Sequence, residues 1–509
     1  METSISDLNL TQGKKMQTIQ GIVEGVIQTT GPTLFTVSDG SGTLILKAFE
    51  GPGVRAYASI VQGDGVQALI TLKEFNNALE GEVMKLTKLD TKAAQQLKEQ
   101  MIALQKKRAE VKAPEFLVKS ELLEKLKPSF IKAATEIRLA VLQNRPIIIR
   151  HHNDADGYSS GYTLERAILP LIQKQHGTDK SMWQYYTRSP SMAPFYEIED
   201  SIKDTAQSLA DEAKFSEKLP LVVIADTGSS VESLLAIKQG KVHGIDFVVI
   251  DHHFFEKDVI SSEVIAHINP FLVGGDGSTY SAGMLCTELA RFISPVVGIE
   301  HIPAMAGMAD MIDNPEVMKA YLALAEKKGY TKALLQDISA VIDFVSTKLR
   351  YMEAREYIEV VFGDPLDKQK ELVKLLAPYI RDLEKKSMEI AQAAAHQEKV
   401  GDITLQTLLI EQTFSRGSYP KPGRMISMLH DVLESKQPTC VTLGIMPDGI
   451  TIRASEESGF SVHDFLAYAK KNIPAAFVEG GGHHQAGSVR FVPSKQEDVL
   501  KAVKDFLKK

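Results

Sequence analysis

The sequence predicts an α/β protein built on a parallel sheet, with a small β-barrel before it and a smaller α/β unit after it. Three observations predict this. Between about 141 and 315, short β-branched runs alternate with helical stretches, the pattern of a parallel sheet covered by helices. Residues 16–90 hold short alternating segments cut by glycine turns, which reads as antiparallel strands. From about Val400, strands return after a mostly helical region over 316–395. A chain of 509 residues also exceeds a single core, since domains usually run about 100–200 residues.

The elements follow in order. Residues 1–15, METSISDLNLTQGKK, are polar and expected as a flexible tail. The segment 16–90 contains TIQGIVEGVIQ, TLFTVSDGSGTLILKAF, YASIVQGDGVQALITLKEF and LEGEVMKLTKL, with Asp39-Gly40 and Asn76-Asn77 at hairpin positions. Five or so short strands in this order suggest an OB-like barrel, a common binder of single-stranded nucleic acid; a barrel with only a packing role is the alternative. Its aromatics are Phe35, Phe49, Tyr57 and Phe75. Residues 91–140 read as a helical linker. Asp90 or Thr91 caps a helix with Ala94, Leu97, Met101 and Leu104 on one face, ending in Lys106, Lys107 and Arg108. That basic end reads as a solvated helix terminus or as a phosphate contact. A second helix, after Ser129, carries Ile131, Ala134, Ile137 and Val141. The sheet domain spans 141–315, a helical connector 316–399, and the second α/β unit 400–509. In the last, DITLQTLLI, CVTLGIM, ITIRAS and SVRFV read as strands, Pro447-Asp448-Gly449 as a turn, and 461–472 and 495–508 as helices.

Composition narrows the function classes. Hydrophobic residues make up 44% and charged residues 24%, an ordinary globular balance. The net charge of −7 argues against a generally basic nucleic-acid binder, so any such surface would be local. Acidic metal ligands would also lower the charge. The two cysteines, Cys286 and Cys440, imply no disulfide framework. With no apolar signal core at the start and no apolar run near the ~20 residues needed to cross a bilayer, a cytoplasmic protein is expected.

Three segments share one grammar. Pro146–Arg150 runs into His151-His152-Asn153-Asp154-Ala155-Asp156-Gly157; Leu221–Ala225 into Asp226-Thr227-Gly228; and Phe247–Ile250 into Asp251-His252-His253. Each is an apolar run ended by acids or histidines. In an open parallel sheet, ligands gather at the carboxyl ends of the strands, so the fold would collect these endings in one place. Carboxylates gathered there repel one another unless a cation intervenes. Imidazole and carboxylate donors without thiolate favour Mn²⁺ or Mg²⁺. In the first segment, alternate side chains of an extended chain share a face, which would let His152, Asp154 and Asp156 converge. Gly157 would permit a sharp exit into a helix near Tyr158. One acid after a strand is commonly a helix cap; three such endings together point to a site. A fourth piece, His301–Asp310, places an acid after a small-residue helical stretch.

These motifs resemble the DHH phosphoesterase family. Asp251-His252-His253 is similar to its naming motif, His152–Gly157 to its first, Asp226-Thr227-Gly228 to its second and Ala304–Asp310 to its fourth. Ile268-Asn269-Pro270 and Ser281-Ala282-Gly283 match further landmarks. Gly480-Gly481-Gly482-His483-His484-Gln485-Ala486-Gly487 resembles the GGGH signature of the DHH-associated domain, and Ile452-Arg453-Ala454-Ser455 its arginine-bearing strand. The resemblance covers roughly 145–509. It implies two divalent cations, Mn²⁺ before Mg²⁺: one on His152 and Asp154, the other on Asp156, His252 and Asp310, with Asp226 bridging. His253 would face the substrate phosphate and Asp251 would orient the neighbouring histidines. Arg453, Gly481, Gly482, His483 and His484 would bind substrate, the glycines by letting backbone N–H groups approach an anion.

The architecture is most similar to RecJ-type nucleases, in particular an archaeal RecJ-like branch. This implies a single-strand-specific exonuclease on DNA or RNA, with a role in replication or repair and a GINS-type replication complex as a partner. One departure stands out: bacterial RecJ carries its OB-fold after the DHH-associated domain, whereas the barrel here comes first. Two other readings remain: a phosphodiesterase for cyclic dinucleotides or very short oligonucleotides, and a replication scaffold. Intact ligand positions argue against a scaffold alone, and the GGGH loop argues against a type II pyrophosphatase. Tyr419-Pro420-Lys421-Pro422-Gly423-Arg424 reads equally as a substrate loop or as a proline-fixed connection.

Overall fold

The computed structural model describes residues 3–9, 16–75, 78–176, 180–215, 217–349 and 355–508. The expected Asn76-Asn77 turn lies outside them. Strands β1 (Gln17–Gln28), β2 (Thr33–Ser38), β3 (Thr43–Ala48), β4 (Gly65–Phe75) and β5 (Ala78–Lys88) close into a barrel of order β1-β2-β3-β5-β4. Inward-facing Ile19, Val23, Phe35, Val37, Leu46 and Ile70 fill it. Gly40 takes φ +82 in the β2–β3 turn, the left-handed conformation that glycine adopts freely. Residues 3–9, expected within a flexible tail, are packed instead. Ile5 and Leu8 join the barrel core, and the Ile5 N–H donates to Asp39 Oδ2 at 2.8 Å.

Helix α1 (Thr91–Ala109) is capped by Asp90, whose carboxylate accepts the Ala93 N–H at 2.8 Å. Its basic end is neither solvated nor free for phosphate at Arg108, which donates to the carbonyls of Gly40 and Ser41 and so ties the helix to the barrel. Helix α2 (Glu121–Leu142) begins well before Ser129. Ser120 caps it, and Leu123, Leu126 and Phe130 are buried on the face that continues to Ile137. That packing outweighs the backbone bond lost at Pro128.

The central sheet is β6 (Ile147–His152), β7 (Tyr186–Ser191), β8 (Leu221–Ala225), β9 (Asp246–Ile250) and β10 (Ala266–Ile268), all parallel, in the order β10-β9-β8-β6-β7. The crossovers carry α3 (Ala155–His176), α4 (Ser181–Gln184), α5 (Ile198–Phe215) and α6 (Leu234–Val242); α7 (Ala282–Ile293) and α8 (Ile302–Ala309) follow. Helices α9 (Pro315–Lys327), α10 (Lys332–Leu349), α11 (Arg355–Phe362) and α12 (Leu366–Ala394) come next. Residues of α2, α9, α10, α11 and α12 share one continuous core with the sheet.

The C-terminal unit is a six-stranded sheet of β11 (His396–Val400), β12 (Ile403–Leu409), β13 (Cys440–Met446), β14 (Gly449–Ala454), β15 (Glu479–Gly482) and β16 (Ala486–Arg490), in the order β11-β12-β13-β14-β16-β15. Its helices are α13 (Ile410–Thr413), α14 (Pro422–Glu434), α15 (Val462–Asn472) and α16 (Gln496–Phe506). Strand β15 is the triple-glycine segment, expected as a loop. Gly480 and Gly482 lie so close to β16 that an added Cβ would meet the Ser488 carbonyl at 2.3 Å and the Ala486 carbonyl at 2.4 Å. They are glycines because strand pairing leaves no room.

The barrel and the C-terminal unit contact opposite ends of the central strands. Glu24 of the barrel accepts from Asn144, just before β6, and from Lys218, just before β8, at 2.7 Å. Thr43 takes a further bond from Asn144 at 2.9 Å. These are the amino ends of the strands. The C-terminal unit is held to the central domain by Arg490–Glu197 at 2.6 Å and Lys470–Glu232 at 3.2 Å, and its His483 reaches the carboxyl ends. Among the described residues, no helix is long and apolar enough to cross a membrane.

Candidate metal centre

Because β6, β8 and β9 are neighbours, their polar endings meet. His152 closes β6, Asp226 follows β8, and Asp251-His252-His253 follow β9. His152 Nδ1 lies 2.6 Å from Asp154 Oδ2 and 3.8 Å from Asp226 Oδ2. His252 Nε2 lies 3.5 Å from Asp226 Oδ1 and 3.4 Å from Asp310 Oδ2. Asp226 is buried at φ +60, a sparsely populated conformation for a side-chain-bearing residue and one that clusters at functional sites. Asp310 is the C-cap of α8.

The first motif converges for a different reason than strand alternation. The strand stops at His152 and α3 starts at Ala155, so Asp156 sits in a helical first turn. Its carboxylate accepts the Ala282 and Gly283 N–H groups at 2.9 and 3.0 Å, at the positive end of α7. Gly157 lies inside α3 rather than at a sharp exit. A Cβ there would stand 2.1 Å from the His152 carbonyl, so close approach is what requires glycine. His151 points away, against Tyr158. Burial, aided by Arg188, pushes its pKa down to about 3.

Supporting bonds fix the ring orientations. His252 Nδ1 bonds the Gly277 carbonyl at 3.0 Å, which aims Nε2 into the cluster. Asp251 accepts the N–H groups of Ser229, His252 and His253 and bonds His253 Nδ1 at 2.8 Å. Asn269 donates to Ser229 Oγ and to the His253 carbonyl. Ser229 and Gly277 carried no sequence signal, because their contributions are a hydroxyl–amide contact and a backbone carbonyl.

The electrostatics call for a cation. Burial, then the charges of Asp156, Asp154, Asp310 and Asp251, raise the pKa of Asp226 well above the usual carboxylate value. Burial pushes Asp310 up to about 6 against the pull of His252. Burial opposes a charge on His252, yet Asp310, Asp156 and Asp251 together raise its pKa. Burial likewise opposes ionisation of Asp154, but paired His152 holds it far below its ordinary value. Asp226 Oδ2, His252 Nε2 and Asp310 Oδ2 are buried without a hydrogen-bond partner, an arrangement that costs free energy unless something binds them. His152, Asp154 and Asp226 form one group with donor atoms within 4.8 Å of one another, and Asp156, Asp226 and His252 form another. Both contain Asp226. An oxygen-rich donor set with two imidazoles fits divalent metal.

The sequence-predicted substrate residues divide. His483 joins the cluster: its ring stacks on His253 with centroids 5.1 Å apart, and its Nε2 is 4.0 Å from Asp310 Oδ2. His484 stands apart, against Phe254 and His463. Arg453 does not reach the cluster with a bond. Its guanidinium donates to Ser427 Oγ and the Ile452 carbonyl, each at 2.8 Å. Of Gly481 and Gly482, only Gly481 faces open space.

No family model matches the chain. An uncharacterized protein of Methanocaldococcus jannaschii is 36% identical over 513 residues, covering 95% of this chain and 67% of that protein. A solved structure described as the DHH domain of a member of the s1p family of ribosomal proteins is 35% identical. It covers 82% of this chain and 99% of its own, with a TM-score of 0.77. The chain belongs to the DHH family. RecJ of Thermus thermophilus, solved in complex with Mn²⁺, is 15% identical with a TM-score of 0.53, covering 80% of this chain and 59% of that one. At that identity the likeness is one of fold.

Proposed function

We propose that this DHH protein is a metal-dependent phosphodiesterase that removes nucleotides from the ends of single-stranded DNA or RNA. The observation that carries the reading is the set of buried, unpartnered metal-donor atoms, Asp226 Oδ2, His252 Nε2 and Asp310 Oδ2, within one cluster of acids and histidines. His152 and Asp154 would hold one divalent cation, Asp156, His252 and Asp310 a second, and Asp226 would bridge them. The Mn²⁺ in the Thermus RecJ structure supports manganese. When bound, such a pair supplies Lewis-acid stabilisation of phosphoryl oxygens and a nucleophile at neutral pH.

The chain's own side chains do the rest. Asp251 fixes the His253 tautomer by accepting Nδ1–H, which turns Nε2 toward the cleft to meet a phosphate oxygen. His483 closes over the same point from the C-terminal unit. Open Gly481 leaves its strand edge accessible to a phosphate. The barrel, at the amino ends of the strands, does not line this cleft. It would hold more distant parts of a long strand, with exposed Phe49 and Phe75 as stacking surfaces.

The test uses single-stranded DNA and RNA, each labelled at either end, with Mn²⁺, Mg²⁺ or chelator. Stepwise shortening from one end that stops with chelator is expected. Failure to shorten either polymer with either metal would remove the reading.

A further inference from the structure

Lys421 belongs to the Tyr419–Arg424 segment, which sequence alone leaves open between substrate loop and connection. Its Nζ donates to the main-chain carbonyl of Asn153 and, at 2.7 Å, to Ser346 Oγ of α10. Asn153 lies between the cluster residues His152 and Asp154. On the other side of Asp154, the Ala155 N–H donates to Asp343 Oδ1 at 3.1 Å. Ser346 Oγ in turn donates to the Asp343 carbonyl at 2.8 Å.

The peptide groups on both sides of Asp154 are thus held from outside the β6–α3 turn. Asp154 Oδ1 takes the Gly157 N–H at 2.9 Å, which leaves Oδ2 toward His152. The lysine is itself anchored. Arg424 pairs with Glu384 of α12, and the Tyr419 hydroxyl donates to the same carboxylate at 3.0 Å. Lys421 is the N-cap of α14, so it is delivered by the C-terminal unit.

We propose that Lys421 and Asp343 are positioning residues for the metal centre. Through Lys421, the His152–Asp154 geometry depends on the docked C-terminal unit. This rests on the metal-centre reading above and adds to it a coupling between two domains. Outer contacts of this kind typically change metal affinity about 10–100-fold when removed.

The test is Mn²⁺ binding to the full-length, chelator-treated protein by titration calorimetry, for wild type, Lys421→Met, Lys421→Arg and Asp343→Ala. The expected result is that one of the two sites weakens about 10–100-fold in Lys421→Met while the other is kept. Lys421→Arg should recover part of the loss. Should Lys421→Met fail to fold, Asp343→Ala carries the same readout. Unchanged Mn²⁺ affinity with a raised KM in Lys421→Met would overturn the inference and make the lysine a substrate contact. Wild type that binds no Mn²⁺ would overturn the metal-centre reading and this inference with it.

Discussion

Asp226 Oδ1 lies 3.5 Å from Nε2 of His252, while its Oδ2 faces His152 Nδ1 at 3.8 Å. One carboxylate therefore stands between the donor groups that β6 and β9 supply. Replacing it by Asn tests this better than Ala does, because Asn tolerates the left-handed backbone at φ +60. Asp226→Asn should lower Mn²⁺ stoichiometry from two to one or none and slow hydrolysis at least about 100-fold, the scale of losing one electrostatic catalytic group. Calorimetry and end-labelled substrate give both readouts. Full activity would sink the shared-ligand assignment.

In chelated protein, the stability contributed by the raised groups of the metal cluster should fade as pH rises from 5 to about 8. The sign follows from the raised groups. Asp226, Asp310, His152 and His252 all have pKa values above their ordinary ones, so at these four groups the folded state holds more protons than the unfolded one, whereas His151, His176, His301 and His430, pushed down by burial, act in the opposite direction. The contribution of the raised groups is present at low pH and fades as pH passes Asp310 near 6 and then the histidines of the cluster. Asp154 and Asp251, shifted down, titrate below this window. Mn²⁺ should raise the melting temperature most at the alkaline end, since protons no longer compete. The check compares wild type with Asp310→Asn without metal, and a melting-temperature difference that does not change with pH would contradict this.

His483→Ala should reduce turnover more than binding, because its ring stacks on His253 at the cluster. Arg453→Ala should behave differently. Its bonds to Ser427 and the Ile452 carbonyl make it a brace within the C-terminal sheet, so melting temperature should fall. Equal kinetic defects at unchanged stability would show that both act on substrate.

Phe49→Ala combined with Phe75→Ala should weaken long single strands by about 1–3 kcal/mol per stacked base and leave a very short oligonucleotide unaffected. Phe35→Ala is the contrast. Phe35 is fully buried in the barrel, so it cannot stack a base, and its truncation should cost about 3–5 kcal/mol of barrel stability. Gel-shift and thermal melting separate the two. Equal loss on short and long substrates would instead make the barrel a folding element.

Much of the site could be read from local patterns. The runs Ile147–Ile149, Leu221–Ala225 and Phe247–Ile250 are continuously apolar because parallel strands are covered on both faces, and the acids and histidines that end them stand out against that background. Strand β7 escaped notice because Tyr186–Ser191 is polar and carries Pro190, as an edge strand can. Strand β15 escaped because glycines signal turns, and only its pairing with β16 explains them.

The sequence by itself determined the parallel sheet, the barrel strands and the residues that gather at the strand ends, because periodicity and strand termini are written in neighbouring residues. Only the tertiary structure decided which atoms face each other. Asp226 lies between two histidines through strand order, not chain proximity. Asp156 is seated on α7 by backbone N–H groups more than a hundred residues away. Glu24, Asn144 and Lys218 set the barrel at the amino ends of the strands, and Lys421 meets Asn153 across two domains. Such contacts depend on packing between distant segments, where burial makes each hydrogen bond obligatory but no local spacing announces its partner.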